Sequence, residues 1–285
     1  MPPLKGITKA ELLSSVRPFI EFNPPYINVT CHRDEFEFIP RADGGFDRRR
    51  VRRRVSETAV CSAIAAEFSV ETVPHVICAG VSAEELCAQL EDYKFLGIDN
   101  IMALRGDCLQ GEKRFSPAPG GLSYAGELVE MVRSKGYDLC IGVGGYPEKH
   151  FEAPNLETDI KMLKRKVDAG ADYVITQMFF DNSVYYKFVD AARSAGITVP
   201  IIPGLKPIST PSQIGMLPSA FSLDIPVELS SEISANSSDK DAVYAIGQEW
   251  CKQQCKDLIA HDVPAVHFYT MGKAANVVGI LKECF

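Results

Sequence analysis

Short runs of consecutive apolar residues alternate along the chain with longer segments in which apolar residues recur every three or four positions. The first pattern is typical of strands buried on both faces of a sheet, and the second of amphipathic helices. The runs predict seven strands, at residues 26–30, 73–78, 101–104, 139–144, 173–177, 199–204 and 265–269. The helical segments predict eight helices, at residues 8–22, 57–67, 82–96, 124–135, 156–169, 183–195, 242–261 and 272–284.

Strict alternation of strand and helix indicates a parallel sheet. Seven strands are one fewer than a closed eight-stranded barrel requires. The chain opens with Pro2 and Pro3, residues that usually follow a strand. We therefore predict an α/β fold, a (βα)8 TIM barrel in a single domain over residues 1–285, with its first strand missing before Met1. An open doubly wound sheet is the competing fold, but no glycine-rich G-x-G-x-x-G loop follows any strand.

The composition of the chain favours a soluble protein over a membrane or nucleic-acid-binding one. The net charge of −7 and the apolar fraction of 46% are ordinary for a soluble globular protein and argue against a nucleic-acid or membrane partner. No apolar run approaches the ~20 residues of a membrane span, and the N-terminus lacks a signal-peptide pattern. The nine cysteines lie mostly in apolar segments, which predicts reduced, mostly buried thiols of a cytoplasmic protein. Cys251 and Cys255 have helical spacing, and two helix cysteines are favoured over a metal clamp because no second pair lies nearby.

Residues 36–54 are predicted to form a loop, and residues 207–240 are less regular. The loop carries six arginines between Arg48 and Arg54. Such a run suits phosphate contact, but in an acidic chain a solvated loop or a subunit contact is an equal alternative.

Polar residues cluster where the predicted strands end, at Thr30, His75, Arg105–Asp107, 146–150, Gln177 and 204–206. In a parallel barrel these ends meet at one mouth, where active sites lie. Each residue also has an ordinary structural interpretation. A histidine inside an apolar strand is more often a satisfied core residue than a base, and the run Lys164–Lys166 is either a solvated helix face or a partner for a diphosphate.

Several motifs stand together in order along the chain: YINVT (26–30), Pro74-His75, ALRGD (103–107), YPExH (146–150), LKRKxDAG (163–170), ITQ (175–177), IPG (202–204) and HFYT (267–270). Over essentially the whole chain they resemble the methylenetetrahydrofolate reductase family, bacterial type.

The resemblance implies a flavoprotein barrel that reduces 5,10-methylenetetrahydrofolate to 5-methyltetrahydrofolate. NADH or NADPH, a choice the motifs leave open, reduces bound FAD in a ping-pong scheme, and the folate then accepts hydride. By position, the implied FAD contacts are Thr30, His75, Arg105, Gly106, Asp107, Tyr124, Ala125, Tyr146, His150, Asp159, Arg165 and Lys166. Asp107 resembles the carboxylate that tunes the flavin and stabilises a cationic folate. Gln177 resembles the amide that binds the pterin, and Lys273 falls near a basic position on the substrate side.

Two departures from the family pattern leave an alternative open. The glutamate that precedes Pro-Pro in the family, its proposed general acid, is absent from this chain, and no aromatic residue stands at 209–213, where the family has one; Met178, Phe179 or Phe180 are candidates to replace it. The alternative is a catalytically impaired flavin- or folate-binding paralogue. A barrel lyase or aldolase is a third possibility and requires a Schiff-base lysine, for which Lys206 is the main candidate. We also expect a homo-oligomer and no C-terminal regulatory domain.

Overall fold

The computed structural model describes residues 2–108 and 114–285. The chain divides into two compact units, residues 1–141 and 142–285, and each is described by itself. Part of the predicted loop at 109–121 lies outside the described residues.

The first unit alternates helices and strands around a short parallel sheet. Its elements are α1 (Lys9–Ile20), β1 (Tyr26–Val29), β2 (Glu35–Pro40), β3 (Phe46–Val51), α2 (Glu57–Phe68), β4 (Glu71–Ile77), α3 (Ala83–Leu96), β5 (Asn100–Leu104) and α4 (Ala125–Ser134). β1 pairs with β4 and β4 with β5, both in parallel. Local sequence sets the element boundaries, as in α3, which begins with a capping box at Ser82 and Glu85 and ends at Gly97 in the left-handed conformation.

The second unit continues the same alternation. It contains β6 (Cys140–Gly145, whose first two residues belong to the first unit), α5 (Leu156–Asp168), β7 (Tyr173–Met178), α6 (Asn182–Ser194), β8 (Ile201–Leu205), α7 (Gln213–Phe221), α8 (Val227–Ala235), α9 (Lys240–Ala260), β9 (His267–Phe268) and α10 (Ala275–Cys284). β6 pairs with β7, β7 with β8, and β8 with β9, all in parallel. The carboxyl ends of these strands therefore lie at one edge of the sheet.

The seven predicted strands and the α/β class are confirmed. The closed barrel, the single domain and the missing strand stay predictions. Among the described residues, none of the helices is both long enough and apolar enough to span a membrane.

Three expectations were wrong. Residues 36–54 are not a loop, because β2 and β3 pair as an antiparallel hairpin in which Glu37 of β2 faces Arg49 of β3 and forms an ion pair with it. The irregular segment 207–240 contains α7 and α8, whose apolar residues Leu217 and Leu229 pack in a buried cluster. The thiols are not mostly buried, because only four of the nine are buried, four are half-buried, and Cys140 is exposed as the first residue of its strand.

Candidate functional site

The turn that follows β5 presents a cation and a carboxylate on either side of a glycine. Gly106 has a φ of +83°, and a Cβ atom at this position would lie 2.8 Å from the Cβ of Ala79. Only glycine suits both constraints, so the chain turns at once and Arg105 and Asp107 emerge at the strand end. The side chain of Asp107 is exposed, whereas its backbone carbonyl accepts a hydrogen bond from Arg33 at 3.1 Å.

The neighbouring strand ends bring further polar groups to the first unit. His75 is half-buried in β4 and is paired in register with Met102 of β5. The Thr30 hydroxyl lies 3.4 Å from the Nε2 atom of His32. Burial lowers the pKa of His32, and the charge of Arg54 lowers it further. The Asp107 carboxylate opposes this shift, so His32 lies within its electrostatic reach. Sequence patterns do not mark His32, because it is an exposed histidine in a polar turn.

Tyr124 and Ala125 lie where α4 begins. Tyr124 is the N-cap residue of the helix, but it makes no side-chain capping bond and is 62% exposed. Its backbone carbonyl accepts a weak hydrogen bond from the Cys78 thiol, which follows β4. The ring therefore projects into solvent from a backbone that is held in place, which leaves it available to a ligand.

The first unit also contains an open cleft of about 1070 Å³ that sequence reasoning did not predict. It lies between the β2–β3 hairpin and helices α2 and α3. Six arginines line it: Arg33, Arg48, Arg50, Arg52, Arg53 and Arg54. Three of these pair with carboxylates, as Arg50 and Arg52 do with Asp34, so much of the arginine charge stabilises the hairpin itself. The FAD contacts predicted for this unit do not line the cleft.

In the second unit, the loop that leaves β6 holds two of the predicted residues together. The rings of Tyr146 and His150 meet edge to face, with 4.8 Å between their centres. The backbone amide of His150 donates to Oδ2 of Asp159 at 3.0 Å, which links the loop to the first turn of α5. Burial raises the pKa of Asp159, and the hydrogen bond from His150 and the charge of Lys166 oppose that shift.

Lys166 and Arg165 lie in the last turn of α5 and differ in exposure. The Lys166 ammonium donates to the carbonyl of Gly144 in β6 and lies 6.0 Å from the centre of the Tyr146 ring. Burial lowers the pKa of Lys166 to about 8, and the Asp159 carboxylate works against this shift. Arg165 is exposed. Arg165 therefore lies on a solvated helix face, as one interpretation of the run Lys164–Lys166 predicts. Lys166 does not.

Glu148 occupies the middle of the same loop. Its Oε1 atom accepts a hydrogen bond from the backbone amide of Asp224 at 2.8 Å. Burial raises the pKa of Glu148 to about 7, and the carboxylates of Asp224 and Asp181 raise it further. The YPExH motif contained this residue, but only the tertiary structure shows which groups surround it.

The predicted substrate residues lie after β7 and β9. Gln177 is half-buried near the end of β7, and its Oε1 atom accepts a hydrogen bond from the neighbouring amide of Met178 at 3.0 Å. Its amide NH₂ group is thus free of that bond and available to a ligand. Lys273 is exposed in the turn that follows β9. The described residues bring no three potential metal ligands together.

Comparison with solved structures supports the fold. A Clostridium thermocellum protein that binds two copies of 5-methyl-5,6,7,8-tetrahydrofolic acid aligns with 99% of this chain and 92% of its own, at a TM-score of 0.61 and 12% identity. At this identity the likeness concerns the fold alone.

Comparison with known sequences identifies the family. The chain is 32% identical to a 5,10-methylenetetrahydrofolate reductase of Salmonella typhimurium and 30% identical to one of Pectobacterium carotovorum, over 96% of this chain and 84% of each relative. It is 37% identical to methylenetetrahydrofolate reductase (NADH) 1 of Arabidopsis thaliana over 75% of this chain, but spans only 38% of that relative. The family model for methylenetetrahydrofolate reductase matches residues 1–284. The chain belongs to the methylenetetrahydrofolate reductase family.

Proposed function

We propose that this protein reduces 5,10-methylenetetrahydrofolate to 5-methyltetrahydrofolate with NADH or NADPH and bound FAD. The observation that carries the proposal is the family match over residues 1–284. The exposed carboxylate of Asp107 at the end of β5 agrees with it. We place the protein in the cytoplasm and its folate substrate at the carboxyl ends of the strands.

The residues of the first unit suit FAD. Gly106 packs directly against Ala79, which fixes the turn that sets Arg105 and Asp107 at the end of β5. Arg105 has its guanidinium 4.9 Å from the centre of the Phe115 ring, so it is oriented before a ligand arrives. The exposed ring of Tyr124 offers a stacking surface, with Ala125 as a small neighbour in sequence. Thr30 after β1 and His75 in β4 supply polar atoms from the neighbouring strands.

Taken by themselves, the residues of the second unit suit a diphosphate and a ribose, the charged and sugar parts of FAD. The cations Lys166 and Arg165 match a diphosphate. Asp159 has one carboxylate oxygen bonded to His150, and its other oxygen is suited to accept from a ribose hydroxyl. Tyr146, held against His150, offers a second aromatic face. FAD, when bound, supplies hydride transfer between the nicotinamide and the folate.

Asp107 has the central role toward the substrate. A carboxylate held at a strand end lowers the free energy of a positive charge that develops on the reacting folate nitrogen. In this proposal Gln177 binds the pterin edge by paired hydrogen bonds, and Lys273 binds an anionic part of the substrate. These roles need Asp107 ionised and Gln177 free to donate.

We also propose that copies of the chain associate through the β2–β3 hairpin. Phe38 is 65% exposed and Phe46 is 63% exposed. They lie on one face, because Phe46 is paired with Pro40, which is two residues from Phe38. A two-stranded hairpin with two exposed phenylalanines gains stability when that face is covered.

An anaerobic absorbance titration tests the enzymatic function. The purified protein should show a flavin band that NADH or NADPH bleaches and that methylenetetrahydrofolate restores. Bleaching without restoration would favour a flavoprotein that has lost folate reduction. If the purified protein binds no FAD even when FAD is added to it, the proposal is contradicted.

A further inference from the structure

The side chain of Arg33 connects three strand ends of the first unit. Arg33 lies in the loop that follows β1 and is half-buried. Its Nη1 atom donates to the backbone carbonyl of Asp107, which follows β5, at 3.1 Å. Its guanidinium also lies against Gly80, which follows β4. One side chain from the loop after β1 therefore contacts the loops after both β4 and β5.

The turn after β5 is held at its start by the backbone and at its end by this side chain. The amide of Ala79 donates to the carbonyl of Arg105 at 2.9 Å, which holds the start of the turn. Gly106 then has a φ of +83°, so the chain leaves the direction of the strand. The carbonyl of Asp107 lies beyond this change of direction, and its donor is the Arg33 guanidinium. Arg33 thus anchors the turn at the residue that carries the carboxylate.

The shape and charge of a guanidinium suit this position. A Cβ atom built on Gly80 would lie 3.6 Å from Nε, 3.6 Å from Nη2 and 3.8 Å from Cζ of Arg33, so the flat face of the group covers the glycine while its edge donates. A hydrogen bond from a charged donor is stronger than one from a neutral donor. Arg50 and Arg52, which line the same cleft, pair with the Asp34 carboxylate instead. The arginines of the cleft therefore differ in what they hold.

We propose that Arg33 is a positioning residue for Asp107. A carboxylate stabilises a developing positive charge best where it is held in place before the charge forms. The side chain of Asp107 is exposed, so the placement of its backbone decides where its carboxylate can lie. Arg33 fixes that backbone from another strand end. The role of Asp107 toward the substrate rests on the proposed function, whereas the anchoring of its turn by Arg33 does not.

Hydrogen exchange of the full chain tests the anchor independently of catalysis. Wild type, R33M, R33K and R48M are compared. Arg48 is the matched control, because it lines the same cleft but its guanidinium lies over the Phe36 ring within the hairpin. In R33M the amide of Ala79 should exchange at least about threefold faster than in wild type, because the turn that its hydrogen bond holds is loosened. R33K, which keeps a charged donor, and R48M should stay within about twofold of wild type. Unchanged exchange in R33M overturns the anchor.

Stopped-flow absorbance of the two half-reactions tests the positioning role. In R33M, reduction of the flavin by NADH or NADPH should stay within about twofold of wild type, which also shows that the variant is folded. Reoxidation by methylenetetrahydrofolate should be about tenfold slower, because the carboxylate is misplaced. R33K should recover most of this loss, and R48M should match wild type.

A double variant shows whether Arg33 acts through Asp107. Adding R33M to D107N should slow the folate step by no more than about twofold further, because the carboxylate that Arg33 positions is already gone. An unchanged folate step in R33M, or a larger further loss in the double variant, overturns the positioning role. If R33M exchanges faster but wild type cannot reduce the folate, the anchor stands and only the proposed function is overturned.

Discussion

The carboxylate of Glu148 accepts a hydrogen bond from the backbone amide of Asp224, with 2.8 Å between Oε1 and N. The bond joins the loop after β6, which carries Tyr146 and His150, to the segment between α7 and α8. Glu148 is half-buried and faces the carboxylates of Asp224 and Asp181, so its pKa rises to about 7, mainly through burial. A structural hydrogen bond therefore depends on a group that titrates near neutral pH.

The stability of the protein should fall as pH rises through 7. The pKa of Glu148 is 4.5 in the unfolded chain and about 7 in the fold, so the proton is bound more tightly in the folded state. The stabilisation that protonation of Glu148 adds to the free energy of unfolding is fully present below pH 4.5 and is lost as pH rises through 7. E148Q keeps the acceptor oxygen and stays neutral, so it should be more stable than wild type at pH 8 by about 1–2 kcal/mol, allowing for solvent screening. Urea unfolding at pH 5 and pH 8 measures this.

The control for that measurement is E228Q, which changes an exposed glutamate of α8. It should preserve the wild-type pH dependence. An E148Q variant whose stability changes with pH as steeply as that of wild type would contradict the assignment of this dependence to Glu148.

Gly106→Ala should destabilise the fold and abolish FAD binding. Alanine at a φ of +83° costs about 1–2 kcal/mol, and its Cβ must displace Ala79, which adds about 1–3 kcal/mol. Gly97→Ala is the matched control, because Gly97 has a φ of +69° but open space around it. In Gly97→Ala, the loss of stability should equal only the cost of placing alanine in a left-handed backbone conformation. Equal losses in chemical denaturation would show that the contact with Ala79 relaxes freely.

Asp107→Asn should separate the two half-reactions of the proposed enzyme. The fold depends on the backbone carbonyl of Asp107 and not on its exposed carboxylate, so stability should stay within about 0.5 kcal/mol of wild type. Flavin reduction by NADH or NADPH should be preserved. Reoxidation by methylenetetrahydrofolate should be slower by about 10²–10³-fold, because charge stabilisation is lost. Stopped-flow absorbance measures both steps, and an unchanged folate step would refute this role.

FAD affinity should decrease as pH rises through 8. Lys166 has a pKa lowered to about 8 by burial, so it loses its charge above that pH and attracts a diphosphate less. K166M should bind FAD about tenfold more weakly at pH 7 and should lack this pH dependence. K161M, which removes an exposed lysine of the same helix, should match wild type. FAD fluorescence titration from pH 7 to pH 9 provides the comparison.

A double variant, F38S/F46S, should shift the protein toward the monomer. Both phenylalanines are exposed on one face of the hairpin, and their burial is the proposed source of association. F95S is the control, since Phe95 of α3 is 89% exposed but lies outside the hairpin. Sedimentation velocity at micromolar concentration measures the change, and circular dichroism checks that the fold persists. A wild-type protein that sediments as a monomer would exclude the hairpin contact.

The order of strands and helices was determined by local sequence. Apolar runs marked β5 and β7, and the capping box at Ser82 with Gly97 set the limits of α3, because these signals act over a few residues. The family motifs likewise marked Asp107 and Lys166. The hairpin was missed because its charged and aromatic residues did not form an apolar strand pattern, and it is stabilised by pairing between β2 and β3.

The chemical state of the site was decided only by tertiary structure. Nothing adjacent in sequence predicts that Glu148 bonds to Asp224, that Lys206 is buried, or that Lys166 is half-buried while Arg165 is exposed. A pKa depends on desolvation and on charges brought together from distant parts of the chain. The sequence by itself therefore determined the elements, the family and most candidate residues, and the packing of those elements decided which residues are buried, neutral or unpaired.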